Sequence, residues 1–92
     1  MSVADRLKEL GLELPTAAAP VASYVPTVEA DGFLYVSGQI SFAADGSLIT
    51  GRLGADMDVA AGQKAAERCA LMILAQVGAA LGGEFGRVER VV

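Results

Sequence analysis

The sequence predicts an α+β fold in which a β-sheet packs against one long helix, and three observations carry that expectation. Two β-prone runs, Tyr24–Ala30 and Phe33–Ile40, flank Asp31-Gly32, the preferred dipeptide of a type I′ hairpin turn. A helical stretch opens at Asp58, a good N-cap, and ends near Leu81 where Gly82-Gly83 stops it. The chain is 92 residues long, 53% hydrophobic, with a mean hydropathy of +0.47. A chain this short buries only about 60–65% of its unfolded surface, so that much apolar material is expected to find cover on other chains.

In chain order, Ser2 to Leu10 forms a short helix, capped by Ser2 or Asp5 and stopped by Gly11, within an N-terminal region of residues 1–11. Residues 12–23, with Pro15 and Pro20, are an irregular connector. The hairpin then occupies residues 24–40. A two-residue turn sets its register: Ala30 opposite Phe33, Val28 opposite Tyr35, Pro26 opposite Ser37, Tyr24 opposite Gln39. Tyr24 and Ser37 become diagonal neighbours on one face, and Val25, Leu34, Val36 and Ile40 on the other suit a core. Pro26 confines the first strand to an edge or to its own start.

Asp45-Gly46 is a second turn, Leu48–Thr50 a possible short strand, and 51–56 a loop. The helix over 58–81 spans about 36 Å. Its first half directs Gln63, Lys64, Glu67 and Arg68 outward. From Cys69 to Leu81 only Gln76 is polar, which predicts burial on all sides. Residues 87–92 read as the start of a further strand. Paired in parallel with an earlier strand, it would make the helix a right-handed crossover. The whole is one partial domain, residues 1–92, and as an isolated polypeptide it is expected to aggregate or stay partly unfolded unless another chain completes it.

Composition narrows the function. A net charge of −4 and a pI near 4.5 disfavour nucleic acid as partner, and the cationic residues form no patch. The single cysteine, Cys69, excludes an internal disulfide framework and fits a reducing, cytoplasmic setting. The chain has no histidine, which removes the commonest general base and metal ligand. No apolar run reaches the ~20 residues that span a bilayer.

Tyr24, the hairpin, Val36-Ser37-Gly38-Gln39-Ile40, Asp45-Gly46, a long helix with Gln63 near its start, and Gly86-Arg87-Val88-Glu89-Arg90-Val91-Val92 occur in an order that resembles the reactive-intermediate deaminase (RidA/YjgF) family over residues 20–92. The resemblance implies a chorismate-mutase-like fold, here incomplete, and homotrimers with active sites between subunits. It implies hydrolysis of enamines or imines of small carboxylate-bearing substrates to 2-keto acids and ammonia, with no cofactor and no metal. Residue by residue, Ser37 matches the serine of the family's Ser-Gly-Gln motif and is the expected catalytic residue; Tyr24 and Gly38 match its substrate-binding positions. The family's carboxylate-binding arginine and its acidic residue are expected at positions after Val92, so no residue of this chain is assigned to them. Leu71-Met72-Ile73-Leu74 stands where many members carry a Leu-Asn pair. The alternative is a non-catalytic trimeric ligand-binding or interaction module on the same fold.

Each of these residues also has a plainer reading. Ser37 can simply bond a neighbouring strand, Gly38 can be a bulge, and Tyr24 an ordinary cross-strand aromatic. Cys69, without cations around it in an apolar helix, reads as an inert core thiol. Gln63 reads as a solvated helix residue, and Asp56 and Asp58 as caps rather than a catalytic carboxylate pair.

Overall fold

The computed structural model describes residues 2–17 and 25–92. Tyr24 and part of the connector lie outside the described residues. The architecture is α+β: a two-stranded antiparallel sheet against a long helix.

Helix α1 (Val3–Glu9) is held by a capping box. The Asp5 amide donates to Ser2 Oγ and the Ser2 amide to Asp5 Oδ2, both at 3.1 Å. Strands β1 (Thr27–Ala30) and β2 (Phe33–Val36) pair as the turn dictates, with Ala30 opposite Phe33 and Val28 opposite Tyr35. Asp31 (φ 51°) and Gly32 (φ 77°) both take positive φ, the requirement of a type I′ turn. The ladder is shorter than the two β-prone runs. Pro26 has no N–H to extend it, so pairing ends with Ser37 donating to the Pro26 carbonyl.

Side chains alternate across β2. Leu34 and Val36 are half-buried, while Phe33 and Tyr35 are 56% and 60% exposed with ring centroids 6.3 Å apart. Val25 and Ile40, expected in the core, are instead exposed, at 62% and 44%. Both lie beyond the paired residues, where the period-2 alternation no longer constrains them.

Ser41 to Ile49 makes a second, smaller hairpin about Asp45-Gly46, with a bridge between Phe42 and Leu48. The Ile49 amide donates to the Ser41 carbonyl at 2.8 Å, and Ser41 Oγ donates to the Ile49 carbonyl at 2.8 Å.

Helix α2 (Val59–Leu81) begins where Asp58 accepts from the Ala61 amide at 2.8 Å and ends in the left-handed Gly82. The Gly83 amide returns to the Gly78 carbonyl, closing the last turn. Leu71, Met72, Ala75 and Gln76 are its buried residues. The apolar half of α2 is not covered on all sides: Ala70, Ile73, Ala79 and Ala80 are exposed. Two short strands cover one helix face and leave the other open. Arg68 departs from expectation in the opposite sense. It is half-buried, and its Nε donates to the Phe42 carbonyl at 2.7 Å, tying the second hairpin to α2.

After α2, Phe85–Arg87 forms a 3-10 turn. Residues 88–92 form no strand among the described residues; Val91 and Val92 are almost fully exposed. A strand exists only with a ladder partner, and this segment has none here. From the preceding 3-10 turn, Arg87 reaches Glu29 of β1 in a long, exposed contact of 4.0 Å, worth little by itself. No helix among the described residues is long and apolar enough to cross a membrane.

Candidate functional site

The Ser37-Gly38-Gln39 segment leaves β2 at the open end of the hairpin. Ser37 is half-buried and doubly anchored: its backbone N–H and its Oγ both donate to the Pro26 carbonyl, at 3.0 and 3.1 Å. This fixes the rotamer of the hydroxyl and leaves its oxygen lone pairs as acceptors.

Gly38 is exposed, its φ lies outside the left-handed region, and a Cβ built on it would meet nothing within 4 Å. Nothing among the described residues therefore requires glycine there. The open space above the Gly38 backbone is compatible with close approach by a group from outside the chain. It lies beside a hydroxyl held in one orientation.

Gln39 ties the segment to α2. Its Nε2 donates to the Ser37 carbonyl at 2.9 Å, and its Oε1 accepts from Gln76 Nε2 at 3.4 Å. Its backbone carbonyl accepts the weak donor of Cys69, with Sγ 3.8 Å away. Cys69 is thus half-buried with its proton directed at a carbonyl, in keeping with a packed thiol rather than a nucleophile.

Of the other candidates, Gln63 is solvent-exposed. Asp58 caps α2 and Asp56 Oδ1 accepts from the Arg52 amide, so the two carboxylates serve separate backbone donors. Leu71 and Met72 are buried core residues of α2. Among the described residues no group of three or more His, Cys, Asp or Glu is placed to hold a metal ion. Asp45 is held below its ordinary carboxylate pKa, first by the Ser47 hydroxyl (2.6 Å) and then by the Ser47 amide (2.9 Å). A separate apolar cleft of about 310 Å³ lies between α1 and Phe85, lined by Val3, Leu7, Leu12 and Leu14 among others. No residue of the Ser37–Gln39 segment lines it.

Sequence reasoning singled out Ser37 and Gly38 but missed the parts of Gln39 and Gln76. One signal was present: Gln76 is the sole polar residue between Cys69 and Leu81. The Tyr24 position, with its expected diagonal relation to Ser37, lies outside the described residues.

Residues 4–92 match the family described as "YjgF/chorismate_mutase-like, putative endoribonuclease". "Protein TCP17" of Trypanosoma cruzi is 48% identical over 90 residues, covering 98% of this chain and 56% of that protein. The crystal structure of Atu1372 from Agrobacterium tumefaciens, a protein described as of unknown function, superposes with a TM-score of 0.81 at 48% identity, covering 95% of this chain and 51% of that one. The structure of a "putative endoribonuclease" from Shewanella oneidensis gives a TM-score of 0.83 at 36% identity, covering 89% and 54%. The chain spans about half the length of these relatives.

Proposed function

Because this chain belongs to the YjgF/chorismate mutase-like family, we propose that it forms part of a cytoplasmic hydrolase that converts reactive imines and enamines of small carboxylates to 2-keto acids and ammonia. The observation that carries this reading is the held Ser37 hydroxyl beside the open backbone of Gly38. The reaction makes modest demands. An enamine such as 2-aminoacrylate first gains a proton at carbon and loses one from nitrogen to become the imine. Water then adds to the C=N carbon, and the carbinolamine expels ammonia to leave the ketone. The protein must orient the substrate, deliver the water and protonate the nitrogen. Ser37 is the catalytic residue of this proposal. Its oxygen accepts from the attacking water or the imine N–H while its O–H goes on donating to the Pro26 carbonyl. In this proposal the Gly38 backbone lies against the substrate, and Tyr24, outside the described residues, is assigned to substrate binding by its match to the family position. No cofactor enters the scheme.

A homotrimer with sites between subunits is part of the proposal. The exposed Val28, Phe33 and Tyr35 on the outer hairpin face support an oligomer, because apolar surface of this kind gains from cover. The test is ammonia release from enzymatically generated 2-aminoacrylate by the full-length gene product. A rate no higher than background overturns the proposal.

A second reading is a non-catalytic module that binds small ligands at the same segment. The commitment of both Ser37 donors to Pro26 favours it, since that arrangement also serves structure alone. Ligand binding without turnover selects this reading. The net charge of −4 argues against RNA as substrate, and RNA binding at physiological ionic strength is the outcome that would favour it.

A further inference from the structure

The polar residue buried deepest in α2 is Gln76, 3% exposed among Leu71, Met72 and Ala75. A buried amide costs free energy unless its hydrogen bonds are made, and an apolar residue would suit that helix face better. Gln76 Nε2 donates to Gln39 Oε1, and Gln39 Nε2 in turn donates to the Ser37 carbonyl. The contact crosses from one residue of α2 to another 37 positions earlier, and from there reaches back two residues along the chain. Ser37 is therefore held from two sides: by Pro26 through its own donors, and by α2 through Gln39 at its carbonyl.

We propose that Gln76 is a positioning residue that acts through the Gln39 carboxamide to set the Ser37-Gly38 backbone. Its role in turnover rests on the deaminase reading above. The direction of the relay matters. With Oε1 of Gln39 occupied by Gln76, the Gln39 amide group is turned toward Ser37. Removing the Gln76 donor frees Gln39 to rotate, and the Ser37 carbonyl loses its partner. Hydrogen bonds in such a chain reinforce one another, so the loss is felt at its far end. The weak Cys69 contact to the Gln39 backbone survives and keeps the segment near α2.

Three measurements on the full-length protein test this. In the unsubstituted protein, NMR of side-chain carboxamides is expected to show Gln39 with slower exchange than the exposed Gln63; equal exchange overturns the relay whether or not the protein is a deaminase. In Gln76→Leu, kcat is expected to fall roughly tenfold to a hundredfold with KM nearly unchanged, as for a slight misplacement of a reacting group. The Ser37 and Gly38 amide shifts move with it. In Gln76→Glu, the introduced carboxyl can donate to Gln39 only when protonated, and burial raises its pKa. Turnover is then expected to recover as pH falls while the unsubstituted enzyme shows no such recovery. Wild-type kcat in a folded Gln76→Leu, or unmoved Ser37 and Gly38 shifts, overturns the proposal. If Gln76→Leu fails to fold, the pH profile of Gln76→Glu and the Gln39 exchange decide it. A protein without ammonia release defeats the deaminase reading alone, and the exchange and shift data still decide the relay.

Discussion

Ser37 gives both of its donors, backbone N–H and side-chain Oγ, to one acceptor, the Pro26 carbonyl, at 3.0 and 3.1 Å. Two donors on one carbonyl close the hairpin just where Pro26 can no longer extend its ladder. They also orient the hydroxyl on which the proposed chemistry depends. Ser37→Ala removes one of the two bonds and keeps the other. The expected result is a loss of about 0.5–1.5 kcal/mol in stability, with the fold retained. Ammonia release slows well beyond what that loss explains. Denaturant melts beside steady-state kinetics check the pair of outcomes; unchanged turnover assigns the hydroxyl to the hairpin alone.

Two helical glycines are predicted to respond in opposite ways to alanine. At Gly62 the new methyl meets Leu53 Cδ2 at 2.7 Å, the end of a flexible and largely exposed side chain that can swing aside. The gain in helix propensity, up to about 1 kcal/mol, then prevails. At Gly78 the methyl meets Phe85 Cζ at 2.9 Å, on a rigid, half-buried ring that packs the 3-10 turn against α2. Gly78→Ala is expected to lose that packing and to lower the melting temperature. Thermal unfolding of both variants checks the contrast.

Asp45 carries a pH prediction. Its folded pKa lies below the ordinary value of 3.8, chiefly through the Ser47 hydroxyl and amide. The turn's share of stability is therefore complete above about the ordinary aspartate pKa and is lost as pH falls through the lower folded value. Ser47→Ala keeps the amide bond but removes the larger cause, so the Asp45 titration midpoint should rise toward normal. A carboxyl-carbon NMR titration reads it directly.

The outer hairpin face predicts association. Phe33 and Tyr35 present adjacent rings to solvent with Val28 opposite Tyr35, while the buried apolar core comprises only Leu71, Met72 and Ala75 among the described residues. A polypeptide of residues 1–92 is expected to self-associate or to melt without cooperativity. Phe33→Lys with Tyr35→Lys should reduce that association in analytical ultracentrifugation. A monomeric 1–92 chain with a sharp melting transition would contradict the expectation.

Local chemistry was legible in the sequence. Asp31-Gly32 specified its own positive φ angles and with them the register of every pair from Ala30–Phe33 to Thr27–Val36. Asp58 and Gly82 bounded α2 because a cap is made with residues at most a few positions away. The α+β class followed from those two elements. What the sequence could not determine depends on distant partners. Val25 and Ile40 carried core-like side chains, yet both stay exposed, at 62% and 44%. Val88–Val92 had strand composition, but a strand needs an edge to pair with. Arg68 read as solvated until the second hairpin presented the Phe42 carbonyl to it. Only the tertiary structure placed Gln76 against Gln39, because which helix residue lies beneath a given loop depends on packing rather than on spacing along the chain.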